Sequence, residues 1–217
     1  MRALWAAVKE LAIVLTIALV LSSLVRAFFF QAFYVPSASM EDTLQLQDRI
    51  VASKISKLFS PVERGEVVVF RDPGGWLPDN QGSANPLIRT LIFVGLLPSD
   101  EGKDLVKRVI AVGGDEVICC DSNGQITVNG YPLQEDYLKP ETTTDQVSFE
   151  IVVPKDRYFM LGDNRPNSRD SRYHLQTAYG TIPKSHIVGK VPFRIWPFDR
   201  FARLTTPETF SNIPNNN

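Results

Sequence analysis

The sequence predicts a mainly β protein carried on a single N-terminal transmembrane helix. An apolar run without charged residues, from Leu11 to Val25, indicates the helix. Short apolar runs separated by turn residues fill the chain beyond Met40, with no long amphipathic helical pattern among them, and this indicates the β class. The 217 residues, 44% of them hydrophobic, are enough for one sizeable domain.

The N-terminal segment is interpreted as a membrane anchor. Its uncharged run is shorter than the roughly 20 residues that span the hydrocarbon of a bilayer. Arg26 can extend its charged end to the headgroups, so the apolar residues up to Phe33 lengthen the span. Arg2 and Lys9 favour a cytoplasmic N-terminus, which places the rest of the chain on the exported side.

A cleavable signal peptide is the alternative for this segment, because its basic start and apolar length suit one. Val35 and Ser37 would also fit the small-residue cleavage positions. Arg26 and the bulky run Phe28–Phe30 count against cleavage there. We therefore predict a division into a cytoplasmic stretch, an anchor, an exported domain and a tail, at residues 1–10, 11–33, 34–204 and 205–217.

The strand-like runs are rich in β-branched and aromatic residues and end at turn residues. They are Arg64–Phe70, Leu105–Val112, Glu116–Cys120, Gln125–Val128, Ser148–Val153, Arg157–Leu161 and Ile187–Trp196. Asn123-Gly124 is a strong hairpin signal. Pro192 interrupts the last run, which predicts an edge strand or a bulge there.

Three stretches depart from this pattern. Residues 72–104 are rich in turn residues and contain Leu87–Leu97, which is too short to span a bilayer and is expected as a buried strand pair or a membrane-touching lobe. Residues 116–154 are predicted to form a small β lobe inserted between two core strands. The tail from Thr205 is polar and is expected to be disordered.

Composition excludes several classes of function. Twenty-three basic and twenty-four acidic residues give a net charge of −1, which supplies no basic surface for nucleic acid. Cys119 and Cys120 are adjacent and form neither a metal-ligand pattern nor a disulfide framework, so we interpret them as small apolar side chains at a strand end. With two histidines in the chain, no zinc cluster is indicated, and no metal is expected.

The loop after the anchor carries two serines, Ser37 and Ser39, which would need a base to act as nucleophiles. His174 and His186 are candidates, but both lie in polar, turn-rich settings typical of surface histidine. Lys107 lies within a strand and could serve only if burial lowered its pKa by about 2 to 4 units. A solvated strand lysine fits the pattern as well, so the residues alone leave the base open.

Two further features bear on this choice. Strand alternation puts Lys107 and Arg108 on opposite faces, so at least one of them can point inward. The polar run Gly162–Arg172 follows an apolar strand and fits either a solvated turn or a loop that supports a catalytic side chain. Composition does not choose between these two interpretations.

Four runs, in order, resemble the sequence boxes of type I signal peptidases, which are membrane-bound serine proteases that remove signal peptides. Pro36–Met40 resembles the nucleophile box and Arg64–Phe70 a conserved strand. Lys107–Asp115 resembles the general-base box, and Gly162–Arg172 resembles the supporting loop. Any one box is a weak signal, but four in order after an apolar segment make the assignment specific.

The resemblance implies a signal-peptidase-type catalytic domain with a Ser-Lys dyad. Ser39 would be the nucleophile and Lys107 the neutral general base. The hydroxyl of Ser37 and the amide of Ser39 would form the oxyanion hole. Lys107 would take the proton of Ser39 and give it to the departing amine, and water would then hydrolyse the acyl-enzyme.

The resemblance also implies support for the dyad. Ser168 would hydrogen-bond and orient Lys107, while Asp170 and Arg172 would brace the loop beneath it. No cofactor is expected. Two positions depart from the family pattern: Asp42 stands where a proline is common, and Pro166 where a polar residue is common. Neither position is assigned to chemistry, so the departures concern loop geometry.

Signal peptides of exported preproteins would be the substrates, cleaved after small residues and bound extended along a strand edge. The enzyme is expected to be a monomer at a lipid bilayer, with Phe28–Tyr34 and Leu87–Leu97 as lipid contacts. Cys119-Cys120 before a hairpin resembles photosynthetic members of the family, which adds the thylakoid membrane to the cell membrane as a location.

Three alternatives remain open at this point. A self-cleaving repressor also uses a Ser-Lys pair, although the apolar N-terminus and the lack of a DNA-binding half argue against one. A Ser-His-Asp hydrolase would use His174. An anchored binding module would use the polar loop to hold a ligand without cleaving it.

Overall fold

A computed structural model describes residues 2–77, 85–87, 90, 103–140, 142–144 and 146–215. The N-terminal helix α1 (Arg2–Phe28) leads almost directly into the first strand. Between Leu4 and Val25 it is long and apolar enough to cross a membrane, judged by length and composition, and this stretch is not buried against the rest of the protein.

Twelve strands follow α1 in the described residues, with a short helix α2 (Ser56–Phe59) after the second strand. They are β1 (Phe30–Tyr34), β2 (Arg49–Ser53), β3 (Val67–Arg71), β4 (Asp104–Val112), β5 (Glu116–Cys119), β6 (Thr127–Val128), β7 (Tyr131–Pro132), β8 (Phe149–Val152), β9 (Arg157–Leu161), β10 (Ile182–Pro183), β11 (Ile187–Trp196) and β12 (Ala202–Arg203).

The larger sheet is antiparallel, with the strand order β1-β2-β11-β3-β4-β9-β10 and β12 paired to β11. Strand β4 lies between β3 and β9, so side chains on both of its faces can be buried. Strand β11 is an interior strand whose register shifts between Lys190 and Phe193, on either side of Pro192. Of the two outcomes predicted for this proline, the bulge is confirmed and the edge position is wrong.

The smaller sheet has the order β7-β6-β5-β8 and is formed by the chain between β4 and β9. Its hairpin from β5 to β6 pairs Val117 with Val128. We call residues 116–154 the lobe. The prediction of a mainly β protein with one apolar N-terminal helix and an inserted small β lobe is confirmed.

Buried apolar clusters join these parts. One cluster packs lobe residues such as Val117 and Phe149 against Phe159 of β9. A second cluster includes Met40 and Leu44, so it lies directly under the loop that carries the two serines. Burial of this kind is the main favourable term in folding, and here it also fixes the serine loop from beneath.

The C-terminal tail is ordered as far as Asn215, which corrects the expectation of disorder. Residues Glu208–Asn212 form a 3₁₀ turn, and Phe210 and Ile213 are buried in the cluster that contains the lobe. The ring of Phe210 packs against Gly65, where an added Cβ would lie 2.6 Å from a ring carbon. Two apolar side chains among polar neighbours are enough to dock this short segment.

The cysteine pair also differs from its interpretation as two separate apolar side chains. The Sγ atoms of Cys119 and Cys120 are joined in a disulfide between neighbouring residues. Cys119 is nevertheless buried in the cluster that fills the lobe, and Cys120 packs against that cluster. The pair therefore contributes to the lobe core as expected, but as one bonded unit.

Residues 72–104 are described only in part. The Asp72 carboxylate accepts hydrogen bonds from the amides of Gly74, Trp76 and Leu77, which folds a turn that buries the Trp76 ring. The predicted apolar segment Leu87–Leu97 lies outside the described residues except for Leu87 and Thr90.

Candidate active site

Ser39 lies on a short 3₁₀ turn, Ala38–Met40, that follows β1. Ser37 precedes the turn in an extended conformation, and its Oγ is 3.3 Å from Ser39 Oγ. Met40 and Leu44 anchor the turn in the core, so Ser39 itself is buried. The hydroxyls of Ser37 and Ser39 therefore face the same small space.

Lys107 reaches this space from the middle of β4. Its side chain is buried, with 3% of the residue exposed, and its Nζ is hydrogen-bonded to Ser39 Oγ. These two residues are 68 positions apart in sequence, and the sheet brings them together. Of the three candidate bases, Lys107 is the one whose side chain contacts Ser39.

The pKa of Lys107 is lowered from 10.5 to about 8. Burial is the main cause, because a low-dielectric setting disfavours the ammonium form. The carboxylates of Asp170 and Asp163 act in the opposite direction, and Arg172 adds a smaller lowering effect. A lysine with this pKa is neutral in about one molecule in ten at pH 7, against fewer than about one in a thousand for a solvated lysine.

Asp170 and Arg172 form a completely buried ion pair in the loop after β9. Arg172 Nε donates to Asp170 Oδ1 at 2.8 Å, and Arg172 Nη2 donates to Asp170 Oδ2 at 2.9 Å. Asp170 Oδ2 also accepts from the amide of Gly162 at 3.0 Å. The pair thus ties the end of the loop to its beginning; the bracing role of Asp170 and Arg172 stays a prediction.

Ser168 is placed differently from the expectation. It is buried beside Gly162, but its Oγ has no hydrogen-bond partner among the described residues. The expected hydrogen bond from Ser168 to Lys107 is therefore not formed in this structure. Ser168 fills the space beside the backbone at Gly162.

Gly162 and Asn164 hold the 3₁₀ turn Ala38–Met40 that carries Ser39, and the sequence assigned neither of them an individual role. A Cβ at Gly162 would lie 2.3 Å from both Ser168 Oγ and the carbonyl oxygen of Ser39. The amide of Asn164 donates to that same Ser39 oxygen at 3.1 Å, and Asn164 Nδ2 donates to Ala38 O at 3.0 Å. The signal in the sequence that could have indicated this contact is a glycine and an asparagine at the start of the run Gly162–Arg172.

The opposite face of β4 carries Arg108, which is also buried. Its guanidinium pairs with Asp163 through Nε at 2.9 Å and Nη2 at 2.7 Å, and Nη1 donates to Gly65 O at 2.7 Å. Asp163 Oδ2 accepts in addition from Oγ1 of Thr43 at 2.5 Å, and Thr43 lies just beyond the 3₁₀ turn that carries Ser39. Strand alternation indicated that at least one residue of the Lys107–Arg108 pair can point inward. Both are buried, and the ring of Tyr137 from the lobe covers the Arg108 guanidinium at 4.4 Å.

The histidines do not contact Ser39 in the part of the chain that the structure describes. His174 stacks on Trp76, with ring centroids 4.4 Å apart. Partial burial lowers the pKa of His174, and the charge of Arg169 lowers it further. His186 has its Nδ1 3.4 Å from Ser185 Oγ. This arrangement disfavours the hydrolase alternative that used His174 as the base.

Asp42 has a backbone φ of +80°, which a proline ring cannot adopt. A proline at this position could therefore not take the backbone conformation that Asp42 has here. Thr43, directly after it, still donates to Asp163, so the turn remains tied to the supporting loop.

Among the described residues, no group of three or more His, Cys, Asp and Glu side chains is arranged to hold a metal ion. The chemistry that the geometry offers is that of a buried amine beside a hydroxyl. Such a pair can move a proton between Ser39 Oγ and Lys107 Nζ.

A family model described as signal peptidase, peptidase S26, matches residues 8–196. A probable signal peptidase I from Mycobacterium leprae is 38% identical over 233 residues, covering 92% of this chain and 78% of the relative. A probable signal peptidase I-2 from Synechocystis is 35% identical over 196 residues, covering 90% and 77%. A signal peptidase I from Leptolyngbya laminosa is 32% identical over 194 residues, covering 89% and 82%.

Proposed function

Because the chain belongs to the peptidase S26 family of signal peptidases, serine proteases that remove signal peptides, we propose that it does so through a Ser39–Lys107 dyad. One observation carries the proposal: the buried Lys107 amine is hydrogen-bonded to the Ser39 hydroxyl. Burial keeps a useful fraction of this amine neutral near physiological pH, as a general base requires.

In the proposed reaction, neutral Lys107 accepts the proton of Ser39 while Ser39 Oγ attacks the carbonyl carbon of the scissile bond. The resulting ammonium gives its proton to the departing amine. A water molecule, deprotonated by Lys107, then hydrolyses the acyl-enzyme. Asp170 and Asp163 stabilise the transient ammonium, since both carboxylates raise the pKa of Lys107.

The oxyanion of the tetrahedral intermediate would be bound by the Ser37 hydroxyl and the Ser39 amide. The support is the 3.3 Å separation of the two serine Oγ atoms and the position of Ser37 directly before the 3₁₀ turn. Loss of one such donor typically raises the barrier by about 3 kcal/mol.

The substrates would be preproteins with small side chains three and one residues before the cleaved bond. A signal peptide would lie extended beside the 3₁₀ turn that carries Ser39 and would hydrogen-bond through its backbone. Cleavage of a preprotein series with Ala, Val or Phe at these two positions tests this specificity. Equal cleavage of the Phe variants would contradict it.

The enzyme would be a monomer that spans the membrane once through α1, with its N-terminus in the cytoplasm and its active site on the exported side. The support is the unburied apolar helix and the short distance in sequence from its end to Ser39. Phe29, Phe30 and Tyr34 are exposed beside the helix end and would contact lipid. The proposed membranes are the cell membrane and the thylakoid membrane.

Cleavage of a preprotein in detergent tests the dyad. Wild-type protein should release the mature protein, while Ser39→Ala and Lys107→Ala should lose activity and keep the wild-type circular dichroism spectrum. His174→Ala should stay active, because His174 does not contact Ser39. Normal turnover by either dyad variant would overturn the proposal. Binding of the preprotein without cleavage by the wild type would favour a binding module.

A further inference from the structure

Arg165 lies in the loop after β9, and none of its side chain is exposed. A buried guanidinium is stable only when it is paired and hydrogen-bonded. Its partner is Glu135 of the lobe: Arg165 Nη1 donates to Glu135 Oε2 at 2.8 Å, and Nη2 pairs with Oε1. Burial by itself would lower the pKa of Arg165, but Glu135, Tyr137 and Asp163 together raise it further than burial lowers it, with Glu135 the largest of the three contributions.

Other lobe residues complete the site around Arg165. Arg165 Nη1 donates to Thr144 Oγ1 at 3.0 Å, and Nη2 donates to the Tyr137 hydroxyl at 3.3 Å. Tyr137 in turn donates to Glu135 Oε1 at 2.7 Å. The lobe thus meets Arg165 with one carboxylate and two hydroxyls, an arrangement specific for a fixed guanidinium.

A second arginine of the same loop also contacts the lobe. Arg172 Nη1 donates to Gln146 Oε1 at 2.8 Å, while its Nη2 donates to the carbonyl oxygen of Arg165 at 2.7 Å. Arg172 also forms the ion pair with Asp170, whose charge acts on Lys107. Contacts from the lobe therefore extend through the loop to the environment of the general base.

The shortest connection to the dyad runs through Gly162. Arg165 Nε donates to Gly162 O at 3.1 Å, and Gly162 packs directly on the carbonyl group of Ser39. The next residue, Asp163, pairs with Arg108 and also interacts electrostatically with Arg165. Without Glu135, Arg165 would compete with Arg108 for Asp163. Asp163 is the other carboxylate whose charge raises the pKa of Arg165.

We propose that Glu135 is a positioning residue for signal-peptide cleavage: by neutralising and fixing Arg165, it holds the supporting loop against the Ser39–Lys107 pair. This inference rests on the dyad proposed above. It makes the lobe a part of the catalytic apparatus, since the charge that orders the loop comes from the lobe.

Replacement of Glu135 by Gln tests the proposal, because Gln keeps the shape and removes the charge. We expect kcat to fall about 10- to 100-fold with little change in KM, because a small displacement of the reacting atoms slows the chemical step. Arg165 without its partner would draw on the Asp163 carboxylate, whose charge raises the pKa of Lys107, so the ammonium form of Lys107 would lose part of its stabilisation. The rising limb of the pH–kcat profile should therefore move to lower pH by about 0.5 to 1 unit.

Three variants serve as comparisons in the same cleavage assay. Glu150→Gln removes an exposed carboxylate of the lobe and should match the wild type in kcat and pH profile. Glu135→Asp restores the charge and should return the rising limb toward its wild-type position. Tyr137→Phe removes one hydrogen bond of Glu135 and should lower kcat by a smaller factor. It keeps the proposal testable if Glu135→Gln does not fold.

A Glu135→Gln or Tyr137→Phe variant with reduced thermal stability but wild-type kcat and pH profile would overturn the proposal, because Glu135 would then be merely structural. The dyad is tested separately by Ser39→Ala and Lys107→Ala in the same assay. If either dyad variant cleaves normally, the proposed function fails. If both are inactive while Glu135→Gln is unchanged, only the role of Glu135 fails.

Discussion

At the scale of single residues, the burial that suits Lys107 to its proposed role as general base also carries a stability penalty. Its pKa is lowered from 10.5 to about 8 by burial, so the folded state binds fewer protons than the unfolded state between these pH values. Stability therefore rises with pH across this window. The penalty is fully present below about pH 8 and is gone above about pH 10.5.

Lys107→Met should stabilise the protein while abolishing cleavage. Removal of the burial penalty, less the lost hydrogen bond to Ser39, should raise the free energy of unfolding at pH 7 by about 2 kcal/mol. The gain should shrink towards pH 10.5, where wild-type lysine loses its proton in both states. Urea unfolding in detergent at the two pH values measures this, and a variant less stable than the wild type at pH 7 would contradict it.

Gly162→Ala should lower kcat by about 100-fold or more, because its Cβ would meet Ser168 Oγ and the Ser39 carbonyl oxygen at 2.3 Å. Kinetics of preprotein cleavage measure the loss. The double variant Gly162→Ala/Ser168→Ala removes only the clash with the hydroxyl, so it should remain impaired. Recovery in the double variant would show that the approach to Ser39 is not the limiting contact.

At the scale of elements, the C-terminal tail stabilises the junction between the lobe and the larger sheet. Phe210 is 4% exposed and packs against Gly65, whose carbonyl oxygen accepts a hydrogen bond from Arg108. Asn129 of the lobe also donates to Pro214 O at 2.7 Å. The tail therefore contacts both sides of the junction.

Phe210→Ala should lower the free energy of unfolding by about 3 to 4 kcal/mol, through lost burial and the cavity it leaves. Phe59→Ala is the matched control, because Phe59 is 84% exposed and its replacement should change stability by less than about 0.5 kcal/mol. Thermal or urea unfolding of both variants compares them. Equal stability of Phe210→Ala and the wild type would mean that the tail is not docked in solution.

Prediction from sequence was strongest for regular elements and weakest at their junctions. The apolar helix, the strand with Lys107 and the lobe hairpin follow from local periodicity and turn chemistry. The docking of Phe210 and the pairing of Glu135 with Arg165 depend on contacts across 145 and 30 positions, respectively. No local pattern encodes such contacts, so the tail was expected to be disordered and Glu135 received no role.

At the scale of the whole molecule, the helix and the β domain are structurally separable. The apolar stretch of α1 is not buried against the rest of the protein, while β1 is fully paired with β2. The domain therefore does not depend on α1 for its core. It would depend on α1 only for its place at the membrane.

Removal of residues 1–28 should leave the thermal unfolding temperature unchanged within about 2 °C, because almost no core surface is lost. The truncated protein should still cleave a soluble signal-peptide substrate, but should no longer sediment with membranes after alkaline extraction. Sedimentation and cleavage assays on both forms measure this. A large fall in unfolding temperature would show that α1 supports the fold.

The class of fold could be predicted from the sequence, and four ordered boxes indicated the family and named Ser39 and Lys107 as candidates. These properties are local, because periodicity and short motifs are written in neighbouring residues. Three contacts became visible with the folded chain: Lys107 rather than a histidine meets Ser39, Ser168 forms no hydrogen bond to Lys107, and the lobe supplies the counter-charge of Arg165. Contacts, burial and pKa depend on groups brought together from distant parts of the chain, and only folding assembles them.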